Sequence, residues 1–93
     1  MKRVYISLPI SGTTNYIQRG QAMADRVRSV GMTPVLPYES GLPTKAPYIF
    51  HMVVDTLLLL TCGIIWFDSA WWGSRGCKWE HRVAVWAGKM IIT

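Results

Sequence analysis

Acidic side chains are few in this 93-residue chain. Five Asp/Glu stand against ten Lys/Arg, a net charge of +5 that suits anionic partners and also serves solubility. The cations are spread from Lys2 to Lys89 without a run, so specific binding of a nucleic-acid polymer is not indicated. Cysteine is limited to Cys62 and Cys77, with no C-x-x-C pair and no Cys/His cluster. That excludes a disulfide framework, offers no metal site, and fits a reducing, cytoplasmic compartment. Long apolar runs are missing too. The longest, Leu57 to Phe67, contains Thr61 and spans 11 residues, where a membrane helix needs about 20. Val4–Ile10, behind Lys2 and Arg3, is too short for a secretory leader, is broken by Pro9, and precedes no small-residue cleavage site. Repeats and low-complexity tracts are absent.

What is present is a dense apolar composition. With 51% hydrophobic and 16% charged residues, a disordered chain is excluded. A chain this short buries only about 60–70% of the surface its unfolded form exposes. Residues 1–93 are therefore expected to form one domain. Five tryptophans and four tyrosines are a heavy load for this length; such rings fill a core, line a pocket or meet another subunit.

Val4-Tyr5-Ile6-Ser7-Leu8 reads as a buried first strand, ended by Pro9 and Gly12. Thr13-Thr14-Asn15 can cap a helix from about Tyr16 to Val30, with Gly31 as its stop. Ile17, Ala22, Met23, Ala24, Val27 and Val30 supply its buried side, while Arg19, Arg26 and Arg28 face water. Met32–Leu36 is a second strand and Tyr38–Pro47 a loop. A second helix, about Tyr48 to Thr61, is apolar nearly all round, through Ile49, Met52, Val53, Leu57 and Leu60. Such a helix is buried on more than one side, and another subunit is the expected extra cover. Gly63–Phe67 is a third strand and Asp68–Gly73 a loop. Gly76 to Gly88 is a third helix, with Trp79, Val83, Trp86 and Ala87 at helical spacing, and Met90 begins a fourth strand. This alternation predicts an α/β fold: a minimal flavodoxin- or Rossmann-like parallel sheet of order 2-1-3-4 with about three helices. Ligands in such sheets sit beyond the carboxyl ends of the strands, which places Pro9–Gly12, Tyr38–Pro47 and Asp68–Gly76 around one crevice.

Each of the five carboxylates can be weighed. Asp25 is a solvated helix charge, and Glu39 sits in a loop at the crevice edge. Asp68 follows the third strand, as a turn residue or a site residue. Asp55 interrupts an apolar helix in M-V-V-D-T-L-L-L-L. A buried charge is costly unless paired, so it is either a salt-bridge partner or an acid of raised pKa able to donate a proton. Glu80 lies early in the third helix, in G-S-R-G-C-K-W-E. Ser74, Arg75 and Gly76 at that helix start suit an anion such as phosphate, although Ser74 is equally a routine N-cap. Tyr5, inside a strand, reads by itself as core. His51 and His81 lack partners at ligand spacing and read as surface or packing residues. Trp71 and Trp72, in a loop, can stack on a base or pack on a neighbour. Cys77 at a helix start has no evident base and is not read as a nucleophile.

Together, Y-I-S-L-P-I, Asp55 on the second helix, W-x-G-S-R-G-C-x-x-E and A-x-x-A-G-K-x-I-I resemble the nucleoside 2-deoxyribosyltransferase-like superfamily over nearly the whole chain. Within it the chain is most similar to small DUF4406-type proteins and to deoxynucleoside 5′-monophosphate N-hydrolases. The resemblance implies that Glu80 is the nucleophile toward the anomeric carbon, that Asp55 handles the proton at the base, and that Tyr5 positions the nucleophile. It implies that the backbone of the loop after strand one, Leu8 to Gly12, wraps the ligand; Ser7, Pro9, Ile10, Ser11 and Gly12 are expected to bind substrate, together with Asp68 and Trp71 at the crevice. Six residues before the glutamate, transferases of free nucleosides carry an aspartate for the 5′-hydroxyl. Ser74 at that position, with Arg75 and Gly76, resembles the monophosphate-cleaving members instead. No metal or organic cofactor is implied, because nucleophile and acid are both side chains, and the apolar second helix points to a homodimer or larger assembly.

The expected function is thus an N-glycosidase-type enzyme that cleaves or transfers the base of a (deoxy)nucleoside 5′-monophosphate. Two other readings stay open: a non-catalytic nucleotide-binding module on the same crevice, and an aromatic-rich interaction module without a ligand. The strand-one loop, Leu8-Pro9-Ile10-Ser11, replaces the glycine and arginine of the monophosphate hydrolases and favours the former.

Overall fold

A computed structural model describes residues 2–8, 15–36, 47–69 and 71–93. In chain order the elements are β1 (Arg3–Ser7), α1 (Tyr16–Ser29), β2 (Thr33–Val35), α2 (Tyr48–Leu60), β3 (Ile64–Phe67), a 3-10 turn (Trp71–Gly73), α3 (Arg75–Trp86) and β4 (Met90–Ile92). The sheet order is β2-β1-β3-β4 and every pairing is parallel. Both features follow the order expected from the strand–helix alternation.

Alternation of side chains along the two central strands builds a core on each face of the sheet. From β1 and the residue after it, Val4, Ile6 and Leu8 point one way. They pack with Ile64 of β3 and with Met23, Ala24 and Val27 of α1. Tyr5 points the other way, with Ile65 and Phe67 of β3, onto Leu59 of α2 and Ala84 of α3. Helix α1 therefore covers one face, and α2 and α3 cover the other.

The helices depart from the sequence reading in instructive ways. The buried stripe of α1 is Gly20, Met23, Ala24 and Val27. Ile17 and Val30 are exposed instead. A 14-residue helix is about 21 Å long, against roughly 17 Å for a five-residue strand, so its ends overhang. Ala22, also expected inside, is exposed on the far side. Arg19, expected in water, reaches Asp68. Asn15 occupies the N-cap without a side-chain cap bond, and Thr13 and Thr14 lie outside the described residues. The stop is as expected: Gly31 takes φ 80°, a left-handed value that glycine adopts without strain.

Of α2, Leu59 is fully buried, whereas Ile49, Phe50, Val53, Leu57 and Leu60 are exposed on the single chain. The Lys89 ammonium donates to the Leu60 carbonyl at 2.9 Å, satisfying one of the helix's terminal acceptors. The segment read as a loop before α3 contains the 3-10 turn, in which the Asp68 carbonyl accepts from the Trp71 N–H and the Trp71 carbonyl from the Ser74 N–H. Helix α3 begins at Arg75, one residue earlier than expected. Its inner side is Cys77, Glu80 and Ala84, not the Trp79–Trp86 face, and Trp86 is 85% exposed. Two small residues and a carboxylate occupy the buried stripe, so hydrophobicity alone pointed to the wrong side.

Candidate active site

The site is built around one buried carboxylate. Tyr5 and Ser7 are two residues apart on β1, so their side chains share the face turned toward α3. Glu80 projects from the second turn of α3 onto that face and is 8% exposed. The Tyr5 hydroxyl donates to Glu80 Oε2, and the Ser7 hydroxyl donates to Glu80 Oε1 at 2.8 Å. Each oxygen thus receives one donor, and each keeps a lone pair for another partner.

Burial pushes the Glu80 carboxyl up to about 7; the Tyr5 and Ser7 hydrogen bonds pull it back, and the charge of Asp55 adds to the rise. Burial likewise pushes Asp55 up to about 6, opposed by His51 one helical turn away. Asp55 ionises first as pH rises, so its charge weighs on Glu80 rather than the reverse. Burial, and then the charges of Glu80 and Asp55, hold the Tyr5 hydroxyl well above its usual range, so it stays a proton donor. Asp55 is therefore close enough for its charge to reach both Glu80 and Tyr5. Asp55 is half-buried on α2 and makes no side-chain hydrogen bond among the described residues.

Cys77 lies beneath this group. Burial raises its thiol, and the Ser7 and Ser74 hydroxyls offset part of that rise. A raised thiol is a poor nucleophile, which agrees with reading Cys77 as structural. Cys62 is also raised by burial. Among the described residues no group of three or more His, Cys, Asp or Glu is placed to hold a metal ion.

Asp68 follows β3 at the carboxyl edge of the sheet. Its backbone N–H donates to the Ser7 carbonyl at 2.8 Å, and its carboxylate receives Arg19. Arg19 is the residue the sequence reading missed: nothing in its spacing distinguishes it from the other exposed arginines of α1. Trp71 packs on Phe67 and stacks flat on His81, with ring centroids 4.4 Å apart at 11°. His81 is accordingly a packing residue of the site wall. Ser74 is the N-cap of α3, its Oγ accepting from the Cys77 N–H at 3.4 Å. A hydroxyl that accepts at a cap still has its own proton to donate. Arg75 and Gly76 form the first turn, where backbone N–H groups have no helical partner. Pro9, Ile10, Ser11 and Gly12, expected to wrap a ligand, and Glu39 lie outside the described residues.

Comparison with known proteins adds to this geometry. The model of a family described as a domain of unknown function, DUF4406, matches residues 2–93. Among solved structures, a 2-deoxyribosyltransferase from the psychrotolerant bacterium Bacillus psychrosaccharolyticus superposes with a TM-score of 0.73. The two share 18% identity over 96% of this chain and 69% of the other. That likeness shows a common fold. No curated protein matches the chain by sequence.

Proposed function

The chain belongs to the DUF4406 family, and for this member we propose an N-glycosidic enzyme that removes or transfers the base of a (deoxy)nucleoside 5′-monophosphate. The observation that carries the proposal is a buried carboxylate, Glu80, held by two donors and flanked by a second carboxyl of raised pKa. A glycosidic C–N bond breaks through an oxocarbenium-like transition state. Such a reaction needs a carboxylate at the sugar and an acid at the base. The Glu80 carboxylate attacks C1′ as the C1′–N bond breaks. The reactive form is the minority one in which the single proton of the Asp55–Glu80 pair sits on Asp55, which gives it to the departing base. Water then attacks C1′ of the glycosyl ester, its proton passing to Asp55 while Glu80 leaves as carboxylate. A second base in place of water gives transfer instead. Tyr5 and Ser7 fix the carboxylate's orientation, as a preorganised site requires. The phosphate preference rests on the Ser74 hydroxyl, the first-turn amides and the Arg75 guanidinium, all favourable to an anion at a helix start. The 2-deoxyribosyltransferase that shares the fold supports the same class of bond.

The test is chromatographic. The protein is incubated with nucleosides, deoxynucleosides and their 5′-monophosphates, with Glu80→Gln in parallel. Free base from the native chain alone, fastest from monophosphates, is the expected result. Nucleotide-induced thermal stabilisation of both proteins without base release would leave a binding module, and neither response would leave only the fold.

A further inference from the structure

The outward side of α3 carries a second feature, which shares Arg75 and Trp71 with the site above and extends beyond it along the helix. A depression of about 390 Å³ opens there, lined by Trp71, Arg75, Lys78, Trp79, His81 and Arg82. Arg75, Lys78 and Arg82 are exposed, and both ion pairs among the described residues lie elsewhere, Arg19–Asp68 and Arg28–Asp25. Three cations thus line one groove, and among the described residues no carboxylate pairs with them. Arg75 and Arg82 are seven residues apart, roughly 10 Å along the helix, a row long enough to meet more than one phosphate.

The groove also has rings. Trp79 is 43% exposed and its Nε1–H donates to Thr56 Oγ1 at 3.0 Å, which fixes the indole. Trp71 is braced by its stacking on His81. A positively charged groove interleaved with held aromatic rings is the physical recipe for single strands: cations follow the backbone and rings stack on bases of any identity. A membrane-surface helix instead needs a convex apolar face opposite its cations. Here rings and cations share one concavity.

We propose that this groove binds single-stranded nucleic acid, with Arg75, Lys78 and Arg82 on successive phosphates and bases against Trp71 and Trp79. The cations look scattered in sequence and become a row only on the helix surface. The inference is independent of whether Glu80 reacts.

The probe is a fluorescein-labelled 12-nucleotide oligothymidylate, followed by anisotropy. The variant is Lys78→Ala/Arg82→Ala, at exposed helix positions where alanine is well tolerated. A Lys2→Ala/Arg28→Ala variant removes the same charge elsewhere. For three phosphate contacts on a single strand, raising salt from about 50 to about 200 mM weakens native binding roughly 20-fold. With one contact left the loss falls to about threefold. The Lys2→Ala/Arg28→Ala variant is expected to retain the native slope. The proposal is overturned by no binding at about 50 mM salt, or by equal losses in the two double variants. It is equally overturned if adenosine triphosphate displaces the oligonucleotide at equal molar concentration, which marks a mononucleotide site. Tighter binding to phosphatidylserine vesicles than to the oligonucleotide, with the same dependence on Lys78 and Arg82, would reassign the groove to a membrane surface.

Discussion

Replacing Glu80 by glutamine makes a specific demand on stability. The Glu80 carboxyl moves from an ordinary 4.5 to about 7 because the fold buries it. That difference corresponds to about 3 kcal/mol by which the folded chain prefers the protonated form. The folded state holds this proton more tightly than the unfolded state does. Its contribution is therefore complete below about 4.5, declines as pH rises, and is gone above about 7. Asp55 acts with the same sign between 3.8 and about 6, weakened by its greater exposure to water. The interval from 6 to 7 thus belongs mainly to Glu80. Glutamine has no proton to lose and keeps an oxygen to accept from Tyr5. Urea unfolding followed by tryptophan fluorescence at pH 5, 6, 7 and 8 gives the difference between native and Glu80→Gln, in which other titrations cancel. At pH 5 the two are expected to differ by less than about 1 kcal/mol. At pH 8 the variant is expected to be more stable by up to about 3 kcal/mol. A difference that stays flat with pH, or a variant less stable than native at pH 8, would refute the placement of an ionisable carboxyl in that desolvated position.

Other perturbations bear on the neighbours of Glu80. Tyr5→Phe removes a donor that lowers the Glu80 pKa, so the alkaline limb of the pH–rate profile, which follows the higher of the two pKa values, is expected to move to higher pH with a lower maximal rate, at a stability loss of about 1–3 kcal/mol in urea unfolding. Base release should itself follow a narrow bell with apparent pKa values of about 6 and about 7, shared by the Asp55–Glu80 pair rather than owned by either; a plateau extending to pH 9 would contradict that. Arg19→Ala leaves the Asp68 carboxylate, 8% exposed, without its cation, and a thermal-unfolding loss of about 1–3 kcal/mol is expected, with Arg19→Lys recovering part of it. Ala84 is fully buried against the sheet, so Ala84→Leu should cost about 1–3 kcal/mol by overpacking, read by the same melt.

The sheet was legible because its signals are local. Short β-branched runs, the first ended by Pro9 and the next two preceded by Gly31 and Gly63, alternate with helical spacings and fix four parallel strands and their order. The helix faces were less legible. In α3 the buried stripe contains Cys77, Glu80 and Ala84, so the strongest apolar spacing lay on the exposed side. In α2 the apolar positions outnumber those that one sheet face can cover, leaving Ile49, Val53 and Leu57 outside within the chain. For the site, Glu80, Asp55 and Tyr5 carry the family resemblance, and the fold places them where the charge of Asp55 reaches both Glu80 and Tyr5. The Ser7 bond to Glu80 follows from strand alternation once Tyr5 is placed. Arg19 could not be found in advance, because its bond to Asp68 spans 49 positions and depends on where α1 crosses the sheet edge. The cation row of α3 was hidden for a related reason: spacings of three and four residues look dispersed in one dimension and converge on a helix surface.

The most direct measurement of the central claim is the intact mass of the protein after acid quench during incubation with a deoxynucleoside 5′-monophosphate. A mass increase equal to the substrate less its base, mapping to the peptide that contains Glu80 and absent from Glu80→Gln, is the expected result. Base release without an adduct on that peptide, or release that persists in Glu80→Gln, would contradict the account.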